Sequence, residues 1–150
     1  MIRMDGTEQK FGLHDSAAHH ITRSARLVER RVETVLRRFG LTRVEWCVLV
    51  AVVDELKKNP SEIADFIGID RTATSRALRQ LETAGLIERE MGRDDRRTTE
   101  VRLTEQGLTK YRAALPMCRD TAQHFHNKLT LDELATLLDL LARLTRDEHP

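Results

Sequence analysis

The hydrophobic pattern of this chain departs from the helical period in one stretch only, and that departure limits the folds available to it. Apolar residues recur at the three- and four-residue spacing of amphipathic helices on both sides of a short central stretch. In that stretch, Leu86–Met91 and Thr98–Leu103 favour two short strands, since Val101 and Leu103 alternate with charged neighbours. We therefore expect a mainly α fold that contains one small β-hairpin.

Capping residues and glycines divide the helical part of the pattern into six predicted helices. Ser, Thr, Asp and Asn stabilise helix starts by accepting hydrogen bonds from backbone amides, and a glycine commonly follows the last helical residue. Candidate N-caps are Thr42, Asn59, Asp70, Thr104 and Thr130, and candidate stops are Gly40, Gly68 and Gly85. Pro116 lies inside the fifth predicted helix, and we expect it to kink or split that helix.

The third and fourth predicted helices are joined by a tight turn, as in a helix-turn-helix. Ala64 is small where the two helices would cross, and Gly68 can adopt the positive φ that the turn needs. The second helix of such a motif enters the major groove and contacts bases from its N-terminal half. Hydroxyl and guanidinium groups there can bind bases and phosphates, which predicts six DNA-binding residues, Arg71, Thr72, Thr74, Ser75, Arg76 and Arg79. The alternative is an ordinary solvated helix face.

The tip of the predicted hairpin, Gly92–Arg97, is too charged to pack in a core. Its arginines are placed to reach phosphates or a minor groove, and Asp95 can orient Arg97. The tip therefore adds four predicted DNA-binding residues, Arg93, Asp95, Arg96 and Arg97. A polar hairpin without a DNA contact is the alternative interpretation.

The end of the fourth helix and the hairpin together resemble the MarR family (multiple-antibiotic-resistance-type regulators). The family pattern reads LExxGL(I/V)xR, followed by DxR and then VxLTxxG. This chain has LETAGLIER at Leu81–Arg89 and DRRTTEVRLTEQG at Asp95–Gly107. The resemblance covers about Gly40–Gly107 by motif, and the long terminal helices by layout only.

The resemblance implies one winged helix-turn-helix domain over residues 1–150, with a DNA-binding lobe at 42–104 and dimerisation helices at 14–39 and 105–148. It also implies a sequence-specific homodimer on a pseudo-palindromic duplex, with Arg71–Ala84 in the major groove and Arg97 in the minor groove. A repressor relieved by a small ligand is the usual outcome in the family. The apolar stripes of the terminal helices independently favour a partner surface, because nothing else in the sequence is an evident cover for them.

A small aromatic or organic-acid effector is the ligand class that the resemblance implies. His14 and Ser24 share one face of the first helix with small alanines, and Trp46 can form a wall for an aromatic ring. These three residues are the candidate ligand contacts. Ordinary core packing is the stronger interpretation for Trp46 and the alanines.

Composition and motifs argue against several other classes. The formal net charge is only +1, and aromatic residues make up 4%, too few for single-strand stacking platforms. We find no glycine-rich phosphate loop, nucleophile elbow or metal-ligand spacing, so we expect no enzyme, cofactor or metal site. A winged-helix protein-interaction module that does not read DNA stays as an alternative.

The two cysteines, Cys47 and Cys118, lie far apart and fit a reducing compartment. The N-terminus lacks the apolar segment of a secretory signal, so we expect a cytoplasmic protein that makes no membrane contact. A thiol-based redox-sensing regulator is a further alternative, because an exposed cysteine of lowered pKa is reactive. The helical pattern instead favours two small buried side chains.

Overall fold

The computed structural model describes residues 12–91 and 99–148. This part of the chain contains six helices, one antiparallel hairpin and short 3-10 turns at Leu13–Asp15 and Arg37–Phe39. The elements are α1 Ala17–Leu36, α2 Arg43–Val53, α3 Pro60–Ile67, α4 Arg71–Thr83, β1 Ile87–Met91, β2 Thr99–Leu103, α5 Glu105–His126 and α6 Leu131–Leu144. The mainly α fold with one small hairpin is thus confirmed.

The predicted helix starts are confirmed by their capping hydrogen bonds. Three reciprocal capping boxes form, at the starts of α2, α3 and α6. In the first of them the Glu45 amide donates to Thr42 Oγ1 over 3.2 Å, and the Thr42 amide donates to Glu45 Oε2 over 2.8 Å. Each such cap contributes about 1 kcal/mol, because it satisfies amides that have no partner inside the helix.

The core is built around α2, which contacts α1, α3, α4, α5 and β2. Its sequence is apolar on most sides, so it can only be stable when other elements surround it. Val48 and Leu49 are fully buried there. Other elements add to the same cluster the buried side chains Leu36, Ile63, Leu78, Leu81, Ile87 and Val101.

The hairpin is fixed to the core at its base. Ile87 pairs with Leu103, and Arg89 pairs with Val101, in antiparallel register. Ile87 and Val101 are buried, whereas Met91 and Thr99, the described strand residues nearest the tip, are exposed. The Val101 amide also donates to the Lys58 carbonyl over 2.6 Å, which joins the loop before α3 to the hairpin.

Pro116 does not split α5, so that part of the expectation is wrong. The helix runs without interruption from Glu105 to His126. Proline removes the amide that would bond to the carbonyl of Arg112, four residues earlier. Pro116 and Arg112 are both exposed, so water can satisfy that carbonyl.

The two terminal helices of the sequence pack differently from each other. α1 packs along α5, whereas α6 has no buried residue. Leu131, Leu138 and Leu144 are among the large exposed apolar side chains of α6. No helix in residues 12–91 and 99–148 combines the length and apolar character that crossing a membrane requires.

Candidate nucleic-acid interface

The turn between α3 and α4 fixes where the fourth helix begins. Gly68 has the left-handed φ of 73°, and its amide donates to the Ala64 carbonyl over 2.9 Å. Asp70 then caps α4, its carboxylate accepting from the Ala73 amide over 2.8 Å. Ala64 is buried, which allows the two helices to cross closely. α4 therefore starts at Arg71 directly after a well-defined turn.

The outer face of α4 carries most of the predicted DNA-binding residues of that helix. Arg71, Thr72, Arg76 and Arg79 are exposed, and Ser75 is half-buried. Arg79 Nε donates to the Ser75 carbonyl over 3.4 Å, which keeps the side chain of Arg79 along the helix. None of these arginines makes an ion pair within the described part of the chain. Their positive charge faces solvent, with no acidic side chain of the described residues paired to it.

Thr74 is a correction to the sequence analysis, which placed it among the DNA contacts. It is only 1% exposed, and its hydroxyl donates to the Asp70 carbonyl over 3.0 Å. It lies on the buried side of α4 with Ala77, Leu78 and Leu81. The helical spacing of these four residues indicated that Thr74 lies on the buried side, but its hydroxyl group suggested a DNA contact instead.

Arg89 is a residue of this surface that sequence reasoning did not single out. It lines a depression of about 130 Å³ between α3, α4 and β1, together with Ser61, Arg71 and Ser75. Its Nε donates to Glu82 Oε2 over 3.0 Å, and a second guanidinium nitrogen donates to the same oxygen. This hydrogen bonding lowers the pKa of the Glu82 carboxyl. The position of Arg89 in the family pattern could have identified it from the sequence.

The stem of the hairpin pairs its own charges. Arg102 lies 3.3 Å from a Glu100 oxygen and 3.9 Å from a Glu90 oxygen. The predicted tip residues Arg93, Asp95, Arg96 and Arg97 lie outside the described residues, and their roles stay predictions.

The end of α4 is joined tightly to the start of α5. Thr104 Oγ1 donates to the Gly85 carbonyl over 2.6 Å, and the Thr104 amide donates to the Leu86 carbonyl over 3.1 Å. A Cβ atom on Gly107 would overlap the Leu86 carbonyl, so only glycine allows this approach. The helix-turn-helix and α5 are thus coupled through backbone contacts.

The three candidate ligand residues lie in different environments. His14 lies in the 3-10 turn before α1, so its predicted place on a face of the first helix is wrong, whereas Ser24 lies on α1. Both side chains are exposed. Trp46 is 8% exposed and stacks on Tyr111, with ring centroids 5.4 Å apart and planes 13° from parallel. The packing of Trp46 agrees with the core interpretation.

Both cysteines are half-buried, and neither has the lowered pKa of a reactive thiol. Burial raises the pKa of the Cys47 thiol, and the positive charge of Arg43 opposes this only in part. Burial also raises the pKa of Cys118, with a smaller contribution from Cys47. These environments do not favour the redox-sensing alternative.

Comparison with known sequences agrees with this geometry. The sequence profile of the MarR family matches residues 39–98, which contain the helix-turn-helix and the hairpin tip. The chain is 30% identical over 93 residues to the HTH-type transcriptional regulator YwoH of Bacillus subtilis, covering 62% of this chain and 67% of that protein. The chain belongs to the MarR family. It is also 30% identical to YdgJ of Bacillus subtilis over 103 residues, which are 69% of this chain and 62% of that regulator.

Solved structures share the fold over most of this chain. A mutant of MarR from E. coli in complex with operator DNA has a TM-score of 0.79 at 25% identity, covering 91% of this chain and 99% of that one. CouR from Rhodococcus jostii, bound to p-coumaroyl-CoA, has a TM-score of 0.81 at 21% identity, covering 93% and 98%. The curated relatives are transcriptional regulators and not enzymes, which agrees with the missing catalytic motifs.

Proposed function

We propose that this protein is a sequence-specific regulator that binds double-stranded DNA as a homodimer on a pseudo-palindromic operator. The main support is the outer face of α4, where Arg71, Arg76 and Arg79 are exposed and make no ion pair among the described residues. Guanidinium groups on a helix that follows a tight turn suit a major groove and its phosphates. Arg97 at the hairpin tip is the proposed minor-groove contact.

The homodimer is proposed from the uncovered apolar surface of the terminal helices. No residue of α6 is fully buried, and contiguous exposed apolar surface marks an interaction site. In a two-fold dimer, each α6 would be covered by the same surface of the partner chain. The two copies of α4 would then lie about 34 Å apart, which is one turn of duplex DNA.

Repression relieved by a small aromatic or organic-acid effector is the regulatory outcome we propose. CouR was solved with p-coumaroyl-CoA, and DNA binding by BpsR of Bordetella bronchiseptica is regulated by 6-hydroxynicotinic acid. Both are neighbours in fold, so they suggest the class of effector and not its identity.

Fluorescence anisotropy with duplex DNA from upstream of the protein's own coding region tests the proposal. We expect binding that weakens steeply with salt, because each phosphate contact releases counterions. Replacing Arg76 and Arg79 by glutamine should lower the affinity by about tenfold or more, since hydrogen bonds between charged groups contribute about 1.5–3 kcal/mol.

Arg112→Gln, an exposed arginine of α5, is the matched control and should bind DNA like the wild type. Light scattering should give twice the chain mass of 17.3 kDa. Salt-independent binding, or an Arg76→Gln/Arg79→Gln variant that binds as the wild type does, would instead favour the protein-interaction alternative. A monomer in solution would overturn the two-fold arrangement.

A further inference from the structure

The depression between α3, α4 and β1 brings together positive and hydroxyl groups from three elements. Arg71 lines it from the first turn of α4 and Arg89 from β1, while Ser61 of α3 and Ser75 of α4 add hydroxyl groups. Among the described residues, no acidic side chain lines this space. Two guanidinium groups that line one small depression favour an anion, since guanidinium binds carboxylate and phosphate through paired hydrogen bonds.

The size of the depression restricts the anion that it can hold. Its volume of about 130 Å³ is well below the roughly 300–1,000 Å³ of sites that enclose a whole small organic molecule. A single phosphate group is an anion of suitable size, because it consists of one phosphorus atom and its oxygens. The depression is therefore too small for the aromatic or organic-acid effector of the proposed function.

Arg89 is already oriented by a carboxylate. Its Nε and one of its terminal nitrogens both donate to Glu82 Oε2. These bonds use only part of the donors of a guanidinium group and leave N–H groups on both terminal nitrogens for a second acceptor. Because Glu82 restrains the side chain before any ligand arrives, less conformational entropy is lost when Arg89 binds one.

The position of the depression favours the DNA backbone as the source of the phosphate group. In a helix-turn-helix the first helix crosses the backbone and the second lies in the major groove. Ser61 belongs to the first of these helices, and Arg71 is the first residue of the second. Arg71 is exposed and makes no ion pair among the described residues. A backbone phosphate next to the start of α4 would therefore lie at this depression.

We propose that the depression between α3, α4 and β1 binds one backbone phosphate in each half-site through Arg71 and Arg89. Glu82 is the positioning residue for Arg89. The inference rests on the proposed function, since it assigns one contact within the same DNA-binding surface. The contact contributes to affinity and not to sequence discrimination, because the phosphate is the same at every base pair.

Fluorescence anisotropy tests this with the upstream duplex in which one phosphate at a time is replaced by an uncharged methylphosphonate. At one position in each half-site, the replacement should weaken binding by the wild type about tenfold. At the same position it should cost Arg71→Gln, and separately Glu82→Gln/Arg89→Gln, about threefold or less, since each variant already lacks a donor to that phosphate. The double substitution keeps the net charge and leaves no unpaired carboxylate.

Glu100→Gln/Arg102→Gln is the matched control. It also removes one ion pair of the hairpin without changing the net charge. Arg102 follows Val101, the residue that pairs with Arg89, so its side chain lies on the opposite face of the hairpin. The control should keep the full tenfold sensitivity at that phosphate. Glu82→Gln/Arg89→Gln should also lose affinity for an unrelated duplex by the same factor as for the upstream duplex.

Equal penalties in the wild type and in Glu82→Gln/Arg89→Gln at every phosphate would overturn the proposal, because Arg89 would then affect DNA binding only through the structure of the hairpin. Loss of sensitivity at different phosphates in the Arg71 and Arg89 variants would also overturn it. Inorganic phosphate that binds the wild type at micromolar concentration, but not the double variant, would overturn the assignment to the DNA backbone. A wild type that binds no duplex would overturn both the proposed function and this contact, whereas the first two outcomes leave the proposed function standing.

Discussion

The guanidinium of Arg89 donates two hydrogen bonds to the carboxylate of Glu82, and this pair joins strand β1 to the last turn of α4. This pair ties the proposed recognition helix to the proposed wing, in addition to the packing of α4 against β1. Because both side chains are partly exposed, the pair sets an orientation more than it adds stability.

Glu82→Gln should therefore weaken DNA binding severalfold while leaving the melting temperature almost unchanged. The Arg89 hydrogen bonds lower the pKa of Glu82, so the pair is intact at neutral pH and is lost only as the pH falls through that lowered value. Anisotropy and thermal unfolding measure the two effects. Glu88→Gln, an exposed change on β1, is the control. An equal loss of DNA affinity in both variants would show that the Glu82–Arg89 pair has no special role.

Gly107→Ala should destabilise the protein by about 2 kcal/mol, within the range for overpacked sites. The added Cβ would overlap the Leu86 carbonyl, which is backbone and cannot rotate away as a side chain does. Urea unfolding followed by circular dichroism gives the free energy. Thr109→Ala, an exposed site in the same helix, should change it by much less. Similar values for the two variants would contradict the close approach of α5 to Leu86.

The pKa of Tyr111 should be well above that of an ordinary tyrosine. Burial and the 2.6 Å hydrogen bond to Asp54 raise its pKa from 10.0 to about 12. The native state then holds the proton more tightly than the unfolded chain, so this contribution to stability is complete below pH 10.0 and is lost as the pH rises through about 12. Tyr111 is the one tyrosine of the sequence, so phenolate absorbance reports it alone. Asp54→Asn should lower the measured pKa, and an unchanged value would exclude the Asp54 contribution.

The thiols of Cys47 and Cys118 should react slowly with Ellman's reagent in the native protein. Burial raises both pKa values, so little thiolate is present at neutral pH. Urea should bring both rates to that of an unfolded chain. Single serine variants assign the two signals. Release of DNA by stoichiometric peroxide, abolished by Cys47→Ser or Cys118→Ser, would restore the redox-sensing alternative.

The starts of the helices and the position of the hairpin could be predicted from the order of residues alone. A capping box such as Thr42–Glu45 closes within four residues, so the residues that make it are visible in the chain itself. Gly68 likewise marks its left-handed turn locally, and the pattern around Leu81–Arg89 gave the family resemblance.

Which polar side chains are available to a ligand depends on how the helices pack, and this could not be predicted from the order of residues. Thr74 and Ser75 look equally suited to DNA in the sequence, yet packing against the core buries the first and leaves the second half-buried. The same holds for Trp46, which is covered by a tyrosine 65 residues away along the chain, Tyr111. The fit of Gly107 against Leu86 also depends on two separate elements. Burial is a property of what packs against a residue, so local spacing constrains it but contacts between distant segments fix it.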